Sequence, residues 1–255
     1  MLIKNLVGIK NTYTDHVGLE FEIEGVNIPN NVPGWRVEND GSLRGESHEY
    51  VLPEPCHINE LDAKIKLIRK AFDKAKVYNS GYAGTHVHIN VGDLTYTQLF
   101  NFALLYLSME DLISRRFGDT RQGNLFCLRM SDAEWLGKLL YDVVKTEDLK
   151  LLNTDNIRYA SLNFNALFRY GSLEFRGWRG DGDFEAAAEW AKFLMSLKDK
   201  ARTIISPVTL LMMSSETQGA FAEEWFPNMT DEDRQVVMRG VRRIQHIAFE
   251  GDWQD

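Results

Sequence analysis

The amino-acid pattern predicts an α+β protein, and two observations carry that expectation. Three short segments alternate apolar residues on one side with ionisable ones on the other, the period-two signature of half-buried strands. Five longer segments repeat apolar residues at helical spacing and carry their own start signals. No Gly/Ser/Pro-rich stretch or internal repeat divides the 255 residues. The whole chain, 1–255, is therefore expected to form a single domain, with a helical C-terminal part from about residue 184.

In chain order, residues 19–24 read L-E-F-E-I-E, which places Leu19, Phe21 and Ile23 on one side of a strand and Glu20, Glu22 and Glu24 on the other. A first helix follows Asn59 as N-cap and covers 61–78, with Leu61, Ile65, Ile68 and Phe72 at helical spacing. Residues 85–90, T-H-V-H-I-N, make a strand with His86, His88 and Asn90 opposite Val87 and Ile89. Thr95 and Gln98 form a capping box that opens a second helix over 99–116, apolar at nearly every early position and so deeply buried. Ser131 and Glu134 repeat the box ahead of a third helix that runs through 144. After a turn at Tyr170-Gly171-Ser172, residues 173–178 read L-E-F-R-G-W, with Glu174 and Arg176 opposite Leu173 and Phe175. A fourth helix spans 184–205 and ends at Pro207, and Thr230 with Asp233 opens a fifth that reaches 249. Residues 214–229 read as a loop or short helix able to act as a lid.

Charge narrows the function classes. With 29 Lys+Arg against 37 Asp+Glu the formal balance is −8, which disfavours a broad surface for nucleic acid or anionic membrane. Cys56 and Cys127 are isolated, in no CxxC pattern, which suits a reducing compartment. No signal-like leader and no apolar run of about 18 residues is present, so a cytoplasmic location is expected. The P-loop, the dinucleotide-binding glycine fingerprint, HExxH and G-x-S-x-G are all absent.

The polar strand faces carry the candidate chemistry. Three carboxylates in register with no cation among them repel one another unless something positive lies between, and a hard divalent cation is the natural counter-charge. A merely solvated strand edge accounts for that triplet about equally well. Glu24, beside Gly25 at the strand end, is the weakest candidate of the three. Two histidines at i and i+2 project the same way, and imidazole both donates and accepts. Arg176 and Arg179 beside Glu174 make a set able to hold a cation together with phosphate oxygens, against the plainer alternative of a surface ion pair. The segment 35–51 supplies further acids, among them Asp40, Glu46 and Glu49.

The order G-L-E-F-E, then D-G-S with a later Glu, then H-V-H-I-N, R-Y-A-S-L-N and L-E-F-R resembles the amidoligase family, which is related to glutamine synthetase and gamma-glutamylcysteine ligase. The five blocks run from about Gly18 to Arg176. The resemblance implies a curved antiparallel sheet of the glutamine synthetase catalytic type, with helices packed on its convex face. It also implies two or three Mg²⁺ ions and ATP as co-substrate. By similarity the metal ligands are Glu20, Glu22, Glu49, His86 and Glu174, with Glu46 competing with Glu49 for the second block. Arg176 and Arg158 are the phosphate-binding, catalytic arginines, and Arg179 is added on proximity. His88 and Asn90 face the nucleotide or the carboxylate. Strand parity puts Arg158 and Asn163 on opposite faces, so either a bulge intervenes or one of the two assignments fails.

The function so implied is an ATP- and Mg²⁺-dependent carboxylate–amine ligase working through an acyl phosphate, with Asp40 or another acid of 38–49 taking the amine proton. Its substrates would be small or peptide-like acids and amines, and a homo-oligomer is compatible with the family. Two rivals stay open: a phosphotransferase of the related guanidino-kinase type, and a non-catalytic nucleotide- or metal-binding module.

Overall fold

Strand β1 (His16–Val26) is the axis of the fold, because its alternation gives it one face for a core and another for chemistry. In the computed structural model, which describes residues 1–11 and 13–254, β1 is joined by β2 (Arg36–Glu38), β3 (Glu46–Val51), β4 (Cys56–His57), β5 (Lys76–Tyr78), β6 (Gly84–Asn90), β7 (Leu162–Asn163) and β8 (Ser172–Arg179). Every pairing among them is antiparallel. The main path runs β2-β3-β1-β6-β8-β7, while β4 and β5 pair with the two ends of β1. The sheet does not close: β2 and β7 are its edges.

The helices are α1 (Ile3–Val7), α2 (Leu61–Ala71), α3 (Tyr96–Ser114), α4 (Glu134–Thr146), α5 (Ala166–Tyr170), α6 (Phe184–Thr203), α7 (Pro207–Glu216) and α8 (Asp231–Glu250). Leu19, Phe21, Ile23, Val87, Ile89, Leu173 and Phe175 form the buried face of the sheet. Helices α3 and α6 cover it: Phe184 meets Phe21 edge-on at 4.9 Å, and Phe102 and Tyr106 meet Phe175 at 5.5 and 4.9 Å. Each such ring contributes roughly 1.5–3 kcal/mol by leaving water. Helix α3 is buried almost all round, as its continuous apolar run requires, and α8 packs across it.

Several boundaries differ from expectation. The first helix stops at Ala71, because Lys76–Tyr78 pairs with β1 at Glu24–Val26 instead of continuing as helix. The Ser131–Glu134 box does not form: Ser131 Oγ donates to Asp111 Oδ1 at 3.1 Å, and α4 starts at Glu134 without a side-chain cap. Gly171 closes α5 in the left-handed region (φ 70°), so the expected turn is a helix C-cap. Helix α6 stops at Thr203, short of the expected end at 205, and Pro207 stands at the start of α7. Trp225 Nε1 donates to Ser196 Oγ at 2.9 Å, Phe226 packs on Phe193 at 5.7 Å and Arg234 pairs with Glu223. The 214–229 segment thus rests on α6 and α8, and the lid expected there covers helices rather than the carboxylate face.

Candidate functional site

The face of the sheet opposite the core collects the ionisable residues, and register explains how. Glu20 pairs with His86, Gly18 with His88, Glu22 with Glu49, and His88 with Glu174. Four strands thus bring together side chains that lie up to about 150 residues apart in sequence. Glu20 Oε2 lies 3.1 Å from His86 Nδ1, and Glu20 Oε1 lies 3.3 Å from His88 Nε2. His86 Nε2 is 3.5 Å from Glu22 Oε1, and its Nδ1 is 3.6 Å from Glu174 Oε1. Three overlapping groups have ligand atoms within 4.8 Å of one another: Glu20, His88 and Glu174; Glu20, Glu49 and His86; and Glu22, Asp40 and Glu49.

The electrostatics of so many acids in one place are uneven. Burial works against ionisation of Glu20, yet contacts with His86 and His88 hold its carboxyl well below the usual range. Glu174 is also held down despite its burial, by Arg176 and the two histidines. Burial lowers the basicity of His88, but Glu20 and Glu174 more than restore it. For Glu49 the balance is reversed: burial and the neighbouring charges of Glu20, Glu22 and Asp40 outweigh the pull of His86 and push it up to about 7. Clustered carboxylates of this kind suit a hard divalent cation, and an acid raised by its acidic neighbours is the mark of a group short of positive charge.

A β-bulge sets the arginines. Val87 faces Phe175 but Thr85 faces Trp178, so Arg176 and Gly177 together oppose His86. Without that extra residue Arg179 would turn to the core face; with it, Trp178 points into the core and Arg179 shares a register position with Gly84. Arg176 Nη1 pairs with Glu174 and lies 3.4 Å from His86 Nδ1, while its buried Nε has no hydrogen-bond partner among the described residues. A donor left unpaired beside an acid cluster fits an anion such as a phosphate. Arg179 is engaged elsewhere, with Asp181 and with the Arg116 carbonyl at 2.9 Å.

A cavity of about 380 Å³ opens at the Gly18 end of the cluster, lined by Glu20, His88, Asn90, Ser172, Tyr13 and Arg36 among others. Asn90, a lining residue of this cavity, is largely buried, and its Oδ1 accepts the Gly92 N–H at 3.2 Å. A larger groove of about 580 Å³ between α4 and α8 has one carboxylate, Glu134, in its lining and holds no candidate metal group among the described residues.

A family model described as "Putative amidoligase enzyme" matches residues 28–198. The chain belongs to the amidoligase family. No curated protein matches it. The family match begins after β1, so Glu20 and Glu22 lie outside it and reach the site through the pairing of β1 with β3 and β6. In this amidoligase-family chain, Glu46 turns away and accepts the Ile28 N–H at 2.8 Å, leaving Glu49 in the cluster. Glu24 accepts the Arg44 N–H at 2.7 Å. Asp40 joins Glu22 and Glu49, with its Oδ1 taken by the Ser42 N–H at 2.7 Å. Arg158 does not join the others: it lies on an exposed 3-10 turn (Asp155–Tyr159) with its guanidinium over the Tyr159 ring. The bulge invoked for it belongs instead to β8.

Three residues support the site without having been given a role from the sequence. Asn163 Nδ2 donates to Glu174 Oε2 at 2.6 Å and fixes that carboxylate. Arg121 is buried and donates to the carbonyls of Arg176, Ala83 and Gly177 at 2.7, 3.3 and 3.4 Å, which clasps the bulge. Its guanidinium occupies the space a side chain at Gly84 would fill, 2.8 Å from an ideal Cβ there. Glu110 on α3 is fully buried, accepts the Met130 N–H at 2.7 Å and pairs with Ser161, whose carbonyl accepts the Arg176 N–H at 2.8 Å. Burial pushes the Glu110 carboxyl up to about 7. A buried Arg or Glu leaves no periodic signal of its own, because its partners are backbone groups set by topology.

Proposed function

We propose that the protein is an ATP- and Mg²⁺-dependent ligase that joins a carboxylate to an amine through an acyl phosphate, on a sheet of the glutamine synthetase catalytic type. The observation that carries this reading is the cluster of Glu20, Glu22, Glu49, His86, His88 and Glu174 beside the unpaired Nε of Arg176, in a member of the amidoligase family. Glu20, Glu22, Glu49, His86 and Glu174 are the residues that would hold two or three Mg²⁺ ions. Bound there, such ions supply charge neutralisation along the phosphates.

The remaining work falls to the chain itself. Arg176 binds the transferring phosphoryl group with donors fixed by Glu174 and the bulge, so no reorganisation is needed as charge develops. The 380 Å³ cavity takes the acceptor acid, with Asn90 and Ser172 as hydrogen-bonding groups. The acid's oxygen attacks the γ-phosphorus and the bond to ADP breaks. The amine nitrogen then attacks the acyl carbon, the carbon–oxygen bond breaks and phosphate leaves. The amine proton passes to a carboxylate or to water; Asp40, the acid nominated from the sequence, stands with Glu22 and Glu49, outside the lining of that cavity.

The test is a coupled assay over a panel of acids and amines. Phosphate release that requires both an acid and an amine is the expected result. A stable phosphorylated product from one substrate alone, or hydrolysis of ATP unchanged in Glu22→Gln and Glu174→Gln, overturns the assignment.

A further inference from the structure

Five side chains follow one another along the rim of the site, and the chemistry above uses none of them. Arg44 lies over the Tyr82 ring at 4.9 Å, Tyr82 meets Phe126 at 6.4 Å, Phe126 meets Tyr159 edge-on at 6.2 Å, and Arg158 covers Tyr159 at 4.8 Å. Tyr82 is 46% exposed and Tyr159 38%, and Leu125 beside them is 73% exposed. Rings kept in water as a contiguous row, rather than singly, mark a binding surface.

The row is held in place before anything binds. Asn124 Nδ2 donates to the Gly81 and Thr120 carbonyls at 2.6 and 2.9 Å, and Thr120 Oγ1 meets Asn79 Oδ1 at 3.0 Å. On the other side, the Leu128 N–H donates to the Tyr159 carbonyl at 2.7 Å and the Ser161 N–H to the Leu128 carbonyl at 2.8 Å. The segment carrying Phe126 is thus stitched to the Tyr82 segment and to the Tyr159 segment. Aromatic groups fixed in advance lose little freedom on binding.

Its position relative to the cluster is set by hydrogen bonds. Arg44 donates its N–H to Glu24, and Gly84, two residues after Tyr82, donates its own to Glu22 Oε2 at 2.7 Å. Ser161, two residues after Tyr159, accepts the Arg176 N–H. The row therefore begins at the end of the cluster where β6 starts and the arginines of β8 lie, whereas the 380 Å³ cavity opens at the other end, beside Gly18 and Asn90.

We infer that Tyr82, Phe126 and Tyr159 form a stacking platform for the nucleobase of the nucleotide whose phosphates Arg176 engages, with Arg44 and Arg158 as its cationic ends. This rests on the phosphoryl-transfer reading above. Every base has a π-face that aromatic rings hold without reading its edge, and guanidinium groups beside those rings add to the attraction. The polarity is consistent: phosphates at the arginines, base beyond them on the rim, and acceptor in the cavity at the opposite end.

The experiment compares binding of ATP and of inorganic tripolyphosphate, each with Mg²⁺, by calorimetry on the full chain and on Tyr82→Leu and Phe126→Leu. ATP should bind the unaltered protein more tightly than tripolyphosphate. Each variant should lose about 10-fold in ATP affinity, the scale of one base–aromatic stack, while its tripolyphosphate affinity stays within about two-fold, which also shows that it is folded. Equal binding of both compounds, an unchanged ATP affinity in the variants, or a parallel loss of both compounds overturns the platform and leaves the phosphate site standing. If neither compound binds the unaltered protein, the phosphoryl-transfer reading fails and the platform with it.

Discussion

Glu110 should make the protein lose stability as pH rises through neutrality, and Glu110→Gln should abolish that loss. The carboxyl is fully buried and is pushed from an ordinary value of 4.5 up to about 7. A raised folded-state value means that the protonated form is favoured on folding. The contribution is therefore fully present below about pH 4.5 and is lost as pH rises through 7. At 1.36 kcal/mol per unit the shift corresponds to roughly 3 kcal/mol, of which about 2–3 kcal/mol falls between pH 5 and pH 8. Glutamine reproduces the neutral acid here. Its Oε1 can accept the Met130 N–H, and the Ser161 hydroxyl, which donates to Glu110 Oε1, can rotate to accept from Nε2. Urea unfolding at pH 5, 6, 7 and 8 measures the outcome, and subtracting one protein from the other cancels the histidines and Glu49. Glu110→Gln should match the unaltered protein at pH 5 and exceed it by about 2–3 kcal/mol at pH 8. Parallel pH profiles for the two proteins would refute the reasoning.

Glu22→Gln should leave the metal-free protein folded, because it relieves repulsion with Glu49 and Asp40, but should reduce the rise in melting temperature on adding Mg²⁺; for the unaltered protein ten-fold saturation corresponds to about 1.4 kcal/mol. Arg121→Met strips three carbonyls of their donor at the bulge and should cost about 2–4 kcal/mol in urea unfolding, with Arg121→Lys losing less. Gly177→Ala places a methyl 2.1 Å from the Phe117 ring and should cost about 1–3 kcal/mol. Adding Phe117→Leu should recover part of that loss, and failure to do so would mean that the glycine serves the backbone rather than the packing.

Where periodicity was strong, the sequence was a sufficient guide. L-E-F-E-I-E and T-H-V-H-I-N declared both faces of β1 and β6, and the boxes at Thr95 and Thr230 opened α3 and α8 as expected. Short elements were invisible because their pairing is tertiary. Nothing local separates Lys76–Tyr78 from a helix end except the edge of β1 that it joins. For the site, strand parity placed Glu20, Glu22, His86, His88 and Glu174 on one face. Parity failed at Arg158, which is not on a strand, and Arg179, added on proximity, owes its orientation to one inserted residue. Asn163, Arg121 and Glu110 act on partners that only the folded topology supplies.

The assembly of the cluster from β1, β3, β6 and β8 also constrains the route to the native state. Glu20 and Glu174 can approach only after β6 has paired with both β1 and β8, two long-range closures, Glu20 to His86 and His88 to Glu174, that loop entropy makes slow. Cation affinity should therefore emerge last in refolding, after the α3 and α6 layer has collapsed. A chain released during synthesis before β8 would have a hydrophobic core in progress but no cluster. Binding of a divalent ion during refolding would then time the completion of the sheet rather than its initiation.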